Sequence, residues 1–360
     1  MSLWVIVGGH FGSEGKGKIS AYITQEEEID ICVRCGGPNS GHGFVDSFGS
    51  THILRQVPTG FVRPETRLLI PAGAIVDLAV LNAEIKLLEL SPARLGLDRN
   101  CMILETRDKD TEIASLLRER LSSTLTGVGA AVARRALRDS SVRLMKDAAR
   151  EQLWLKEYIV EASAEINTAL NKGKRVLIEG TQGTGLSLYH SPFYPKATSR
   201  DTTAAGFLSE VGVSPLRVTE IVVVFRTFPI RVAGDQAGPL TNEVTWDDIQ
   251  AESGYPTPIR EYTTVTNKLR RVGRFDYELA LQSVRLNQPT RIALNFVDYL
   301  SYENSRATHV TQLTDSSLDF ICELERRLAV GIRYFGVGPS LNQTFASEIP
   351  CRQITASARR

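Results

Sequence analysis

The chain has 360 residues, with 42 basic and 41 acidic side chains and a net charge of +1. That length can bury a large core, as one big α/β domain or two smaller ones. The near-zero charge gives no electrostatic case for nucleic acid or an anionic membrane as the main partner. In chain order, Met1-Ser2-Leu3-Trp4 lacks a basic leader and runs directly into an apolar stretch, so no signal peptide is expected. No run of about 18 apolar residues predicts a membrane-spanning helix. Five cysteines (Cys32, Cys35, Cys101, Cys322, Cys351) are few and odd in number, which fits a reducing cytoplasm. Cys32 and Cys35 have CxxC spacing, but no second Cys or His pair flanks them at metal spacing, so they read as part of a strand.

The apolar run at 3–8 predicts a strand and 15–25 a helix. Between them lies Gly8-Gly9-His10-Phe11-Gly12-Ser13-Glu14-Gly15-Lys16-Gly17-Lys18. Strand, glycine loop and helix suit phosphate, because glycines admit backbone N–H groups to the oxygens and a helix N-terminus favours negative charge. Lys16 and Lys18 add formal charge. A P-loop needs Gly, four residues, then Gly-Lys-Ser/Thr. Here His10 stands at the first Gly and Gly17 at the hydroxyl, so the loop reads as a relative of that motif.

Further strands are predicted at 29–35, 67–70, 101–105, 175–180, 219–226, 291–297 and 331–336, with helices at 76–90, 111–121, 141–171, 276–286 and 315–329. Alternation of this kind predicts an α/β fold, a large mostly parallel sheet with helices on both faces. No repeat or linker divides it, so residues 1–360 read as a single domain with long loops at 36–60, 120–140 and 226–275. Loops that long in compact enzymes usually carry function. Three more glycine clusters, at 36–43, 123–129 and 179–184, each follow or join a predicted element. Glycine loops at strand C-termini build nucleotide sites in α/β sheets, and four of them suggest two phosphate-bearing ligands.

The sequence resembles the adenylosuccinate synthetase family along nearly its whole length, closest to the short forms. The resemblance rests on Gly12-Ser13-Glu14-Gly15-Lys16-Gly17-Lys18, Asn39-Ser40-Gly41-His42, Ala133-Arg134-Arg135, Glu179-Gly180-Thr181-Gln182-Gly183, Arg231-Val232, Arg270-Arg271-Val272-Gly273 and Gly338-Pro339. It implies a P-loop-related fold in a homodimer that joins aspartate to C6 of a 6-oxopurine nucleotide, using GTP and Mg²⁺. The 6-oxygen is first phosphorylated, which turns a poor leaving group into a good one. The aspartate amine then displaces it. Such a transfer needs phosphate charge neutralised and the acceptor oxygen positioned.

The resemblance further implies roles for single residues. Lys16 and the loop hold the transferring phosphate, with Gly12, Glu14, Gly15, Gly17, Gly41, His42, Asn295, Asp298, Gly338 and Pro339 around the donor nucleotide. His42 is the general acid near the leaving phosphate. The Gly41 carbonyl and the Ser13 position bind Mg²⁺. Ser13, Asn39, Thr124, Gln182, Thr198 and Val232 contact the acceptor, and Arg134 reaches its phosphate across the dimer. Thr266, Lys268 and Arg270 fall in the aspartate loop, where a guanidinium suits a carboxylate, so Arg270 is the first choice.

Three departures stand out. Ser13 replaces the aspartate that takes the N1 proton and binds Mg²⁺; losing a general base usually costs about 10²–10⁴ in rate. Phe296, in Asn295-Phe296-Val297-Asp298, replaces the lysine of the guanine-reading Asn-Lys-x-Asp motif. Lys268 replaces an arginine near the ribose. The Ser13 change resembles a phage-encoded branch that acts on dGMP on the way to 2-aminoadenine DNA. The expected reaction is therefore dGMP plus L-aspartate, driven by ATP or dATP (or GTP), in the cytoplasm, of the host if phage-encoded. A synthetase acting on IMP, a non-catalytic nucleotide-binding homologue and a P-loop GTPase switch are the alternatives. Glu14, a water held by Ser13 or the bound aspartate could take the N1 proton.

Overall fold

The apolar runs assemble into one large sheet. The computed structural model describes residues 2–263 and 267–348. Its main sheet has ten strands in the order Thr344–Ala346, Ile332–Gly336, Arg291–Asn295, Glu220–Arg226, Ser2–Gly8, Arg175–Glu179, Ile31–Arg34, Arg67–Ile70, Leu95–Asp98 and Ile159–Val160. Every pairing is parallel except that of Thr344–Ala346 with Ile332–Gly336. The first strand lies at the centre, with Val5 opposite Ile178 on one side and Ile221 on the other.

The strands read as unbroken apolar runs because helices cover both faces of the sheet. Leu3, Val5 and Val7 enter one apolar cluster with Val33, Ile178, Phe207 and Phe225. Trp4 and Ile6 enter the other with Ile19, Ile23, Leu177 and Val224. Parallel strands bring their C-terminal ends to one edge. The loops that begin after Gly8, Arg34, Glu179, Arg226 and Asn295 therefore converge there, as in other open α/β sheets.

Several expectations need correction. The helix expected over 141–171 is broken into Met145–Glu151, a 3₁₀ segment Leu153–Tyr158, the edge strand Ile159–Val160 and Ala162–Asn171. The β-branched pair Ile159-Val160 completes the sheet beside Leu97 and Asp98, a long-range pairing that overrides local helix preference. The strand expected at 101–105 shrinks to Met102–Ile103, paired with Ile75–Val76 outside the main sheet, and Leu95–Asp98 takes the sheet position. The helix expected at 111–121 is two, Thr106–Ala114 and Leu117–Leu121.

The stretch 226–275 is not structureless. It carries helix Trp246–Ser253 and a three-stranded antiparallel sheet, packed on Phe228, Ile230, Ile249 and Ile259. Cys32 and Cys35 are buried, and burial pushes both thiols up. Among the described residues no helix is long and apolar enough to cross a membrane.

Candidate active site

The glycine loop turns sharply before the helix Lys16–Glu26. Gly12, Ser13 and Gly15 have φ of 84°, 57° and 85°, all left-handed. Gly15 could carry no side chain in any case, because a Cβ would lie 2.6 Å from Asn295 Nδ2. That amide donates to the Glu14 carbonyl at 2.7 Å and ties the loop to the end of its strand. Gly17 stands where a P-loop has its hydroxyl because His42 packs against it; a Cβ there would lie 2.6 Å from the His42 Cβ. The helix N-terminus has no side-chain cap, so its opening N–H groups suit an anion.

Glu14 is fully buried and braces the loop from within. One oxygen accepts from the backbone of Gly12 at 2.7 Å and His10 at 3.1 Å; the other accepts from Lys16 Nζ at 2.6 Å. It does not line the cleft, and both of its oxygens are engaged inside the loop, so its side chain is not placed as a base at N1. Lys16 itself lines the cleft.

His42 begins a hairpin strand, His42–Val45. Its Nδ1 bonds to the Glu179 carboxylate. Glu179 also accepts from Arg34 Nη1 at 3.2 Å and from the Thr59 N–H and hydroxyl at 2.8 Å each. Burial and the Arg34 charge outweigh Glu179 and push His42 down to about 4, so the free enzyme holds a neutral imidazole. On the other side of the loop Arg226, fully buried, donates to the Ser13 carbonyl at 3.0 Å and pairs with Glu261. The roles of Glu179, Arg34 and Arg226 were not read from the sequence.

These elements enclose a cleft of about 760 Å³. Its wall brings together Gly12, Ser13, Lys16, Asn39, Gly41, His42, Thr124, Gln182, Thr198, Val232, Lys268 and Arg270, all expected at the site from the sequence. Lys16, Arg118, Arg120, Lys196, Arg231, Lys268 and Arg270 line it against one carboxylate, Glu112. A surface so charged selects polyanions. Glu112 is already engaged with the backbone, accepting from the N–H groups of Gly127 and Gly129 at 2.8 Å each. The glycine cluster 123–129 therefore has two of its amides capped by a carboxylate.

Asn295, Asp298, Gly338 and Pro339 lie apart from the cleft wall, around Lys18. Lys18 Nζ donates to the Gly338 carbonyl at 2.6 Å. Asp298 is buried, and Phe296 has one face covered by the Arg226 guanidinium, 3.9 Å from the ring centre. Thr266 lies outside the described residues. Arg134 does not line the cleft. Its guanidinium bonds within its own chain to Asp108 at 2.7 and 3.0 Å and to Glu105 at 3.0 Å, while its Nη1 is buried without a partner. Arg138, one turn further on, is exposed.

Among the described residues no group of three His, Cys, Asp or Glu gathers to hold a metal. Ser13 and Gly41 line the cleft, and neutral donors so few suit a Mg²⁺ that brings phosphate oxygens and waters as its other ligands.

The sequence matches the model of the adenylosuccinate synthetase family over residues 5–154 and 143–305. Adenylosuccinate synthetases of Methanococcus aeolicus and Methanocaldococcus jannaschii are 39% and 41% identical, over 96% and 94% of this chain and 99% and 95% of theirs. Among solved structures, the fold is similar to Cyanophage S-2L succinoaminodeoxyadenylate synthetase (PurZ) bound to dGMP and dATP as an energy donor. The TM-score is 0.83 and the identity 26%, with 99% of each chain covered. Plasmodium falciparum adenylosuccinate synthetase shares the fold, with a TM-score of 0.84 at 22% identity over 96% of this chain and 100% of that one.

Proposed function

The chain belongs to the adenylosuccinate synthetase family and is a C–N bond-forming ligase, and from that premise we propose that it joins L-aspartate to C6 of dGMP, with ATP or dATP as donor. The observation that carries the acceptor is Ser13. It stands exposed in the cleft where the family resemblance expects an aspartate, its backbone fixed by the Arg226 contact to its carbonyl. A short side chain leaves room for the 2-amino group that distinguishes dGMP from IMP. The likeness to a synthetase bound to dGMP and dATP supports the same reading.

In this reading O6 of dGMP attacks the terminal phosphorus as the N1 proton passes to a water held by Ser13, and the donor departs as its diphosphate. The aspartate amine then adds to C6 and phosphate departs. Lys16 and the uncapped helix end offset the phosphate charge. His42, held at Nδ1 by Glu179, presents Nε2 to the departing phosphate. Arriving negative charge raises its pKa, so it gains its proton with the substrate in place. Asn39, Thr124, Gln182, Thr198 and Val232 hold the acceptor, and Lys268 and Arg270, with Thr266, hold the aspartate. Gly12, Gly15, Gly17, Asn295, Asp298, Gly338 and Pro339 surround the donor. Ser13 and Gly41 would hold Mg²⁺, which supplies further charge neutralisation when bound. The enzyme works as a cytoplasmic homodimer.

The high identity to archaeal synthetases favours the second reading, IMP as acceptor. The test is succinyl-nucleotide formation with aspartate, Mg²⁺ and ATP, with dGMP and IMP offered in parallel. A dGMP preference is expected. An IMP preference overturns the dGMP assignment, and binding of dGMP without turnover of either overturns the catalytic reading.

A further inference from the structure

Residues 261–263 and 268–270 run antiparallel, with Tyr262 opposite Leu269. The Arg270 N–H donates to the Glu261 carbonyl at 2.8 Å, and the Thr263 N–H to that of Lys268 at 2.9 Å. This register sets Glu261 directly opposite Arg270. Opposite residues of an antiparallel pair share a face, with Cβ atoms about 4.5–5.5 Å apart, and opposite charges there attract. Burial lowers the pKa of Arg270, and the Glu261 charge is the first to oppose it, so the two groups feel each other. Yet among the described residues Arg270 makes no ion pair, and its Nε donates to the Tyr262 carbonyl at 3.3 Å. Glu261 has turned both oxygens to Arg226, one at 3.2 Å from Nη1 and the other on Nη2. Arg226 is fully buried at the end of its sheet strand and also donates to the Ser13 carbonyl. Neither Arg226 nor Glu261 lines the cleft, whereas Arg270 does.

We propose that Arg226 is a positioning residue for the amino-acid substrate: by taking up Glu261 it keeps the Arg270 guanidinium from being spent within the chain and leaves it for the substrate carboxylate. The inference rests on the reading that Arg270 holds the aspartate. A carboxylate directly across the strand pair competes with any carboxylate that the cleft admits. Arg226 answers it with two N–H donors at once, a stronger hold than a single point charge gives. Because Arg226 is fixed to the sheet, the Glu261 side chain is drawn toward the sheet and out of the cleft wall.

The test is KM for aspartate and for the acceptor in Arg226→Gln and Arg226→Lys, each alone and combined with Glu261→Gln, and in Arg270→Gln. Arg226→Gln releases Glu261 to pair with Arg270, and KM for aspartate should rise roughly fivefold or more. Adding Glu261→Gln removes the competitor and should bring KM for aspartate back toward wild type. KM, unlike the maximal rate, does not depend on how much of the enzyme is folded, so the reversal reports on the site rather than on stability. Any rise in KM for the acceptor comes from the loosened Ser13 carbonyl and should not be reversed. Arg226→Lys keeps the charge without the fork, so its effect should be smaller and reversed in the same way; it carries the test if Arg226→Gln does not fold. A double variant no better than its Arg226 parent overturns the proposal. So does a KM for aspartate that moves in Arg270→Gln but in neither Arg226 variant, and the reading of Arg270 then stands. A KM for aspartate unmoved by Arg270→Gln overturns both.

Discussion

His42 and Glu179 form a buried pair at the C-terminal edge of the sheet, the imidazole Nδ1 against one carboxylate oxygen and Thr59 on the other. The arrangement fixes the tautomer and aims Nε2 at the cleft. Glu179→Gln removes the charge that lets His42 accept a proton beside Arg34. It should lower kcat about 10²-fold or more, with a smaller change in KM. Steady-state kinetics at saturating aspartate, with a melting curve to show that the variant folds, would check it. An unchanged kcat would remove His42 from the proton path.

His10 is packed between Phe225 and Phe275, with ring centres 5.0 Å away in each case and neither nitrogen partnered. Burial and then the Arg226 charge push it from the ordinary 6.5 down to about 3. A folded pKa below the unfolded one means the stability is complete above pH 6.5 and is lost as pH falls toward 3. By pH 5 the loss amounts to about 2 kcal/mol. Unfolding free energies of His10→Leu should therefore fall less steeply between pH 7 and pH 5 than those of wild type. Equal slopes would show that His10 takes up its proton in the folded state.

Arg134 bonds to Asp108, which is fully buried. Arg134→Ala leaves that carboxylate with the Glu105 N–H as a remaining partner, so the cost is below the about 3–5 kcal/mol typical of a fully buried pair. A lowered midpoint in denaturant is expected. The folded Arg134→Ala variant should stay active on its own and gain nothing from mixing with Lys16→Ala chains. Activity recovered in proven heterodimers would mean that Arg134 leaves its partners to serve a second chain.

The sheet was legible because strands buried on both faces leave unbroken apolar runs, and the cleft was legible because glycine, lysine and histidine sit in dense local motifs. Glu179, Arg34 and Arg226 were harder to see, since each acts through residues far away in sequence. A signal existed: Ile31–Arg34, Arg175–Glu179 and Glu220–Arg226 are apolar strands that end in a charge, and all three charges are buried. A charge at the C-terminal end of a buried parallel strand points into the site edge. The break at 153–160 left no such mark, because it comes from the need of Leu95–Asp98 for an edge partner rather than from a local breaker.

Ser13 is where the acceptor specificity should be decided. Its left-handed backbone, with φ 57°, is clamped by Arg226, so a new side chain cannot escape by moving the loop. Ser13→Asp would place a larger, charged group toward the acceptor base, crowd a 2-amino group and supply a base for N1. Overpacking of this kind costs about 1–3 kcal/mol, or roughly 5- to 150-fold in acceptor binding. The variant should therefore lose dGMP activity while dIMP, which lacks the amino group, is spared. The measurement is succinyl-nucleotide formation from dGMP, GMP, dIMP and IMP by wild type and variant. Comparing dGMP with dIMP isolates the 2-amino group, and comparing dGMP with GMP isolates the ribose, where the family resemblance expects an arginine at the position of Lys268. A dGMP-to-dIMP ratio that does not move would mean that the 2-amino group lies elsewhere in the cleft and that Ser13 does not select it.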